Sequence, residues 1–254
     1  MKPLFLLLLL LTMCAKPQPP SFRECPCTHT DPKKRLYNQV LTELIEQRFY
    51  SSYLPDSANE QIREAIQLQF PQGSDFKLGT EEFRRYETVR KELEAVQQNR
   101  LFGDSARFKT IYLDTDLRRG IHPFTLPPAS QATESPDAFS QLNIRINLLF
   151  SQVVRSDTAD AIHQLNALQS DILPTDFQLC TAKIISRPST SKRRFNWERT
   201  TVRFSKIVFN ATQTKALLRY DMSCGSKCGF GEILLVEKTN GNWHIKQAEE
   251  LWIS

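Results

Sequence analysis

Glycine is scarce in this sequence: there are eight among 254 residues, and three of them lie between Cys224 and Gly231. Phosphate-binding loops and dinucleotide-binding fingerprints need several glycines at fixed spacing, and neither pattern occurs. The Gly-x-Ser-x-Gly motif of hydrolases and the His-Glu-x-x-His motif of zinc proteases are missing as well. The sequence therefore carries no local motif of these classes, while a catalytic group assembled from distant positions stays open.

Histidine is also scarce, and no set of side chains has the spacing of a metal site. The four histidines are scattered along the chain, at His29, His122, His163 and His244. Cys224 and Cys228 have no second cysteine pair to complete a zinc site. Asp114 and Asp116 lack the other oxygen ligands and the glycine of a calcium loop. We expect no metal and no cofactor, and we expect the two aspartates to lie in a solvated turn that follows a strand.

The formal net charge of +5 is spread along the chain, so it does not imply a nucleic-acid partner. One stretch, between Arg187 and Arg203, is locally basic and aromatic. Its cations cluster around Phe195 and Trp197 and are Lys192, Arg193, Arg194 and Arg199. Such a pattern is suited to contact with an anionic lipid or glycan surface. The alternative is a solvated connection between strands, which needs no partner.

Residues 1–15 have the pattern of a signal peptide. A leucine-rich run from Leu4 to Leu11 follows Lys2, and this run is too short to span a bilayer. The next four residues resemble the lipobox of bacterial lipoproteins, in which the cysteine, here Cys14, carries the lipid. Met13 departs from that pattern, because Gly, Ala or Ser usually precedes the cysteine.

A proline-rich linker at residues 16–31 follows and is suited to act as a tether. We therefore expect an exported lipoprotein of the cell envelope, located at the outer membrane or in the periplasm. Its lipid anchor would hold it on a membrane. Cleavage after Ala15 is the alternative, and it would release a soluble secreted protein.

Export places the cysteines in an oxidising compartment, where they are able to pair. Five cysteines remain beside Cys14, so at least one is unpaired within the chain. Cys224 and Cys228 flank a glycine-rich connection between two β-prone runs, which predicts a hairpin. A structural disulfide that braces this hairpin is the favoured interpretation. A redox pair, the alternative, usually shows Cys-x-x-Cys spacing at the start of a helix.

The periodicity of the apolar residues predicts one compact α+β domain. Residues 32–137 form a helical region with one strand at 108–113 and a long loop, and the predicted helices are 31–54, 59–70 and 80–103. Residues 138–254 contain two helices followed by an antiparallel sheet. Its helices are 138–154 and 158–173, and its strands are 177–185, 203–209, 215–222, 232–238 and 243–253. We expect a helical N-terminal half packed on a C-terminal antiparallel β-meander.

Residues 202–254 contain a pattern of short motifs in a fixed order. Cys-Gly-x-x-Cys-Gly-x-Gly lies at 224–231, Asn-Gly-Asn-Trp at 240–243 and Leu-Trp-Ile-Ser at 251–254. This region resembles the C-terminal part of a family of uncharacterised lipoproteins and secreted proteins of Gram-negative bacteria. The resemblance implies export and the α+β architecture, and it implies no reaction.

The signal segment, the tether and the lack of a catalytic motif favour a non-enzymatic interaction or structural module of the envelope. Its expected partners are the membrane, through the lipid anchor, and a protein or glycan of unknown identity. The alternative is an enzyme or a small-ligand-binding protein with a pocket between the helices and the sheet.

Overall fold

Helices dominate the first half of the chain and strands dominate the second, as an α+β fold requires. The computed structural model describes residues 27–49, 56–70, 80–117, 121, 123–125, 138–154, 157–187, 200–225 and 228–254. The helices are α1 (Pro32–Leu44), α2 (Asp56–Gln69), α3 (Glu81–Phe102), α4 (Ala138–Ser151) and α5 (Thr158–Asn166). The strands are β1 (Thr110–Leu113), β2 (Lys183–Ser186), β3 (Thr201–Phe204), β4 (Val208–Phe209), β5 (Lys215–Gly225), β6 (Cys228–Thr239) and β7 (Asn242–Ile253).

Local capping signals explain where the first helices begin. The Asp31 side chain accepts the backbone N–H groups of Lys33 and Lys34, and Pro32 occupies the first turn of α1. The Thr80 side chain caps α3 by accepting the Phe83 N–H, and Gly103 follows the last residue of α3, in agreement with the helix predicted at 80–103. A π-helical turn, Ile45–Phe49, continues α1.

Helix α5 is shorter than the sequence predicts, because it ends at Asn166 and not at Leu173. The backbone that follows pairs with the sheet instead: the Gln169 N–H donates to the Phe204 carbonyl, and Leu168 forms an isolated bridge with Ser205. These long-range bonds replace the bonds that a longer helix would have made.

Within the described ranges the sheet has seven strands, and six of them follow the order β2-β1-β3-β5-β6-β7, with β4 paired to β5. Strands β5, β6 and β7 form the predicted antiparallel meander. At its last turn, Asn240 and Gly241 both have positive φ, as the Asn-Gly signal requires. Strand β1, by contrast, is parallel to both β2 and β3. Parallel neighbours need a long crossover, and α4 and α5 lie in the connection from β1 to β2.

Two predicted strands are shortened or interrupted in the observed sheet, whereas those predicted at 215–222 and 232–238 extend toward their shared turn, as far as Gly225 and Cys228. The strand predicted at 177–185 is regular only from Lys183, since the Gln178 N–H donates to the Asn38 side chain of α1 and a short 3₁₀ turn lies just before it. The strand predicted at 203–209 is divided into β3 and β4. Between them, Ser205 binds both backbone groups of Arg219, with its N–H and with its hydroxyl oxygen.

Each face of the sheet packs against different helices. The first face carries the core that contains α1 and the π-helical turn, and β5 contributes Leu218, Tyr220 and Met222 to it. The second face packs against α4 and α5, and it includes Leu217 of β5. The alternation along β5 thus serves two cores, because successive side chains of a strand point to opposite faces. Helices α2 and α3 form a smaller apolar cluster around Ala58 and Ile62.

Candidate functional site

The predicted cysteine pair is joined in a disulfide. Cys224 at the end of β5 and Cys228 at the start of β6 are bonded, with their Cα atoms 5.1 Å apart. Cys180 is also disulfide-bonded, and Cys27 is a free thiol. The disulfide links β5 and β6 next to the turn that joins them, which is the position expected for a structural brace of the hairpin.

The other predicted site residues lie outside the described residues: the lipidation residue Cys14 and the four cations Lys192, Arg193, Arg194 and Arg199. Within the described ranges, no group of three or more His, Cys, Asp and Glu side chains is arranged to hold a metal ion.

Asp114 is not the solvated turn residue that its sequence context predicts. It is 2% exposed, and its Oδ2 atom accepts hydrogen bonds from two arginines. Arg187 donates from Nη1 at 2.8 Å, and Arg203 donates from Nε at 3.1 Å and from Nη2 at 3.0 Å. The prediction was wrong because it considered neighbours in the sequence, whereas both arginines come from distant strands.

Strand register brings the three residues together. Leu113 is paired with Ser186 on one side and with Val202 on the other, both in parallel. The residues that follow these three are Asp114, Arg187 and Arg203. They are therefore neighbours across the sheet, at the same height along the strands. Backbone bonds hold this level, since the Arg187 N–H donates to the Leu113 carbonyl at 2.9 Å and the Asp114 N–H to the Val202 carbonyl at 3.0 Å.

The two guanidinium groups keep the Asp114 carboxylate charged. Burial raises the pKa of this carboxyl, but the Asp116 N–H and the charges of Arg203 and Arg187 together outweigh it, so the pKa lies below its ordinary value. The side chains of Arg187 and Arg203 are 20% and 17% exposed, so both guanidinium groups reach solvent. One negative charge thus holds two partly exposed positive charges side by side.

The same row continues across the sheet through paired positions. Arg203 is opposite Asp221, Asp221 is opposite Gly231, and Gly231 is opposite Trp252. The Trp252 indole Nε1 donates to Asp221 Oδ1 at 3.1 Å. We call Arg187, Asp114, Arg203, Asp221 and Trp252 the polar row; it lies on the second face of the sheet.

A fully buried arginine lies beside the polar row. Arg219 donates from Nη1 to Asn166 Oδ1 at 2.7 Å, and its guanidinium lies 4.8 Å from the centre of the Phe124 ring. Its Nη2 atom is 3.9 Å from Asp221 Oδ1. Burial lowers the pKa of Arg219 to about 10, and the charge of Asp221 opposes this shift, so the group stays charged at neutral pH.

Sequence reasoning missed Arg219 and Asp221, although a signal was present. Both interrupt the apolar run of β5 at alternate positions, so both point to one face of a buried strand. Two charged residues at such positions need partners nearby, because an unpaired buried charge is costly. No local spacing indicates that those partners come from α5, β7 and the residues around Phe124.

The opposite face has its own buried polar contact. The Tyr220 hydroxyl donates to Glu232, and Glu232 Oε1 lies 3.6 Å from Arg48 Nη2. Burial, followed by the charge of Glu232, raises the pKa of Tyr220 far above its ordinary value, so the phenol remains a donor. This contact joins two strands under the π-helical turn.

Comparison with known proteins adds no family: no family model, no curated protein and no solved structure matches this chain. Among the described helices, none combines the length and the apolar character needed to cross a bilayer.

Proposed function

We propose that this chain is an exported protein, anchored to the cell envelope by a lipid on Cys14, that serves as a non-enzymatic interaction or structural module. This assignment follows the resemblance to the Gram-negative lipoprotein family. The observation that carries it is the disulfide between Cys224 and Cys228. Protein disulfides persist in exported proteins and are rare in the reducing cytosol, so the bond supports the export that the leader predicts.

The packing between the helices and the sheet supports a structural module. On the first face, large apolar side chains from α1 meet the sheet with no exposed area, including Leu36, Val40 and Leu44. On the second face, Leu149 and Leu165 are equally buried against the strands. The alternative function needs a ligand pocket between the helices and the sheet. Buried apolar side chains occupy that space on both faces of the sheet.

Metabolic labelling with a fatty-acid analogue tests the anchor. We expect label on the wild-type chain, no label on Cys14→Ala and full label on Cys27→Ala, which removes a free thiol that follows the predicted cleavage site. In cell fractionation, we expect the wild-type chain in the membrane fraction and the Cys14→Ala variant in the soluble fraction. An unlabelled wild-type chain, or equal labelling of both variants, would show that Cys14 is not the anchor. If the labelling confirms the anchor, affinity purification of the membrane-anchored protein is the experiment that identifies its protein or glycan partner.

Small-ligand binding, the alternative function, has one observation in its favour, and this is the pair of partly exposed arginines in the polar row.

A further inference from the structure

In the polar row, one buried carboxylate binds two guanidinium groups. Both donate to one atom, Asp114 Oδ2, at distances of 2.8 to 3.1 Å. The trio of Arg187, Asp114 and Arg203 has a formal charge of +1. Because the carboxylate is buried and the guanidinium groups are partly exposed, the excess positive charge faces the solvent.

Both arginines have hydrogen-bond capacity left. A guanidinium carries five N–H donors. Arg187 uses one of its donors on Asp114 and Arg203 uses two. In the described part of the chain, Asp114 is the only acceptor that either guanidinium binds. Both side chains are partly exposed and are held in place by Asp114, so part of the ordering cost of binding a ligand is already met by the fold.

The next charged residues across the sheet, Asp221 and Arg219, leave this excess unchanged. Asp221 is the next carboxylate in the row, and Arg219 lies 3.9 Å from it. With both included, the cluster contains three arginines and two aspartates. A second carboxylate on this face, Glu249, is paired with its own arginine, Arg145, at 2.6 Å.

We propose that Arg187 and Arg203 bind the phosphate group of a small ligand. Two guanidinium groups that approach from different strands suit an anion whose oxygens diverge in three dimensions. A planar carboxylate, by comparison, is satisfied by the fork of a single arginine. Asp114 acts as a positioning residue: it holds both cations at the site and leaves their outer donors for the ligand.

Calorimetric titration of the processed full-length chain with inorganic phosphate tests the proposal. We expect saturable binding, a similar response to sulfate and at least tenfold weaker binding of acetate. Arg187→Gln and Arg203→Gln should each weaken phosphate binding about tenfold, since each removes a charge-assisted hydrogen bond. Arg145→Gln is the matched control, because it removes an exposed arginine of a neutral pair on the same face, and it should bind phosphate like the wild type.

A second measurement needs no variant and so does not depend on the variants folding. In NMR spectra of the wild-type chain, phosphate should shift the Nε–Hε signals of Arg187 and Arg203 and leave that of Arg145 in place. Competition by glycerol phosphate or by phosphatidylglycerol vesicles then distinguishes a soluble ligand from a lipid headgroup. No binding by the wild type, or equal binding by wild type and both variants, would overturn the proposal. The Cys14→Ala variant, which lacks the lipid anchor, should bind phosphate like the wild type. Failure of the proposed anchor and failure of phosphate binding are therefore separate results.

Discussion

Gly231 and Trp252 face each other across the last two strands, and the indole ring occupies the space that a side chain at position 231 would need. A Cβ atom added at Gly231 would overlap both the indole Nε1 of Trp252 and the Oδ1 atom of Asp221. These two atoms form the hydrogen bond of the polar row. The glycine is therefore required by close approach, and its backbone angles are ordinary.

Replacement of Gly231 by alanine should destabilise the protein by about 1–3 kcal/mol, the usual cost of overpacking. Urea unfolding measures this change. In a Trp252→Ala background, the same substitution should cost less, because the indole ring is gone and only the contact with Asp221 Oδ1 remains. Equal costs in both backgrounds would contradict the steric explanation.

Trp243 and Trp252, the two tryptophans of the last strand, differ in burial. Trp243 is 2% exposed and lies against Phe209, with ring centres 5.8 Å apart, whereas Trp252 is half-buried. Trp243→Ala should cost about 3–5 kcal/mol in unfolding free energy. Trp252→Ala should cost less, since it loses one hydrogen bond and a smaller buried area. A Trp243→Ala variant that melts within a degree of the wild type would refute the packing role.

Helix α1 covers part of the exposed edge of the sheet. Strand β7 is an edge strand, and its Trp243 and Ile245 N–H groups donate to the side chains of Gln39 and Glu43. We expect the double variant Gln39→Ala, Glu43→Ala to lose about 1–3 kcal/mol of stability and to self-associate, because an open edge pairs with other chains.

Sedimentation measures the self-association of this variant. Gln47→Ala is the control, since Gln47 is exposed and bonds only to Glu43 among the described contacts. A monomeric double variant of wild-type stability would rule out protection of the edge by these side chains.

Asp114 should make stability depend on acid pH. Its pKa is lower in the folded chain than in the unfolded chain, so its stabilisation is complete above about pH 3.9, the unfolded value, and is lost as the pH falls through the folded pKa. Asp114→Asn should destabilise by about 2 kcal/mol at neutral pH, and the difference from wild type should shrink below pH 3.9.

Thermal unfolding as a function of pH checks this dependence. Asp160→Asn is the control, because Asp160 is an exposed aspartate of α5 and its neutral variant keeps an acceptor for Gln164. A difference between wild type and Asp114→Asn that stays constant down to pH 2 would exclude the ion-pair explanation.

The disulfide should contribute little to global stability. So short a loop removes little entropy from the unfolded chain, and the double variant Cys224→Ser, Cys228→Ser should lose less than the roughly 3 kcal/mol expected of a 15-residue loop. Mass spectrometry of an unreduced digest should find the two residues linked. A double variant that folds normally but no longer binds phosphate or a purified partner would show that the pair is functional and not a brace.

Local signals account for the features that the sequence predicted correctly. Asp31 and Thr80 cap helices because their oxygens reach N–H groups two or three residues away. Asn240 and Gly241 form the last turn because both tolerate positive φ. Such contacts depend on a few neighbouring residues, so their chemistry can be read from the sequence.

The polar row depends on contacts that no local signal contains. Arg187 is 73 residues from Asp114, and Arg203 is 89 residues from it. The sequence marked these arginines only as the ends of a basic stretch, and it marked Asp114 only as a turn residue. None of these descriptions predicts that the three side chains meet.

The sequence by itself determined the α+β class, the helix caps, the antiparallel meander and the cysteine pair, because each follows from periodicity or from residues close together in the chain. The tertiary structure decided the parallel pairing of β1 with β2 and β3, and with it the position of the two arginines. The physical reason is that parallel register is set by how the intervening helices pack on the sheet, and this packing involves the whole chain.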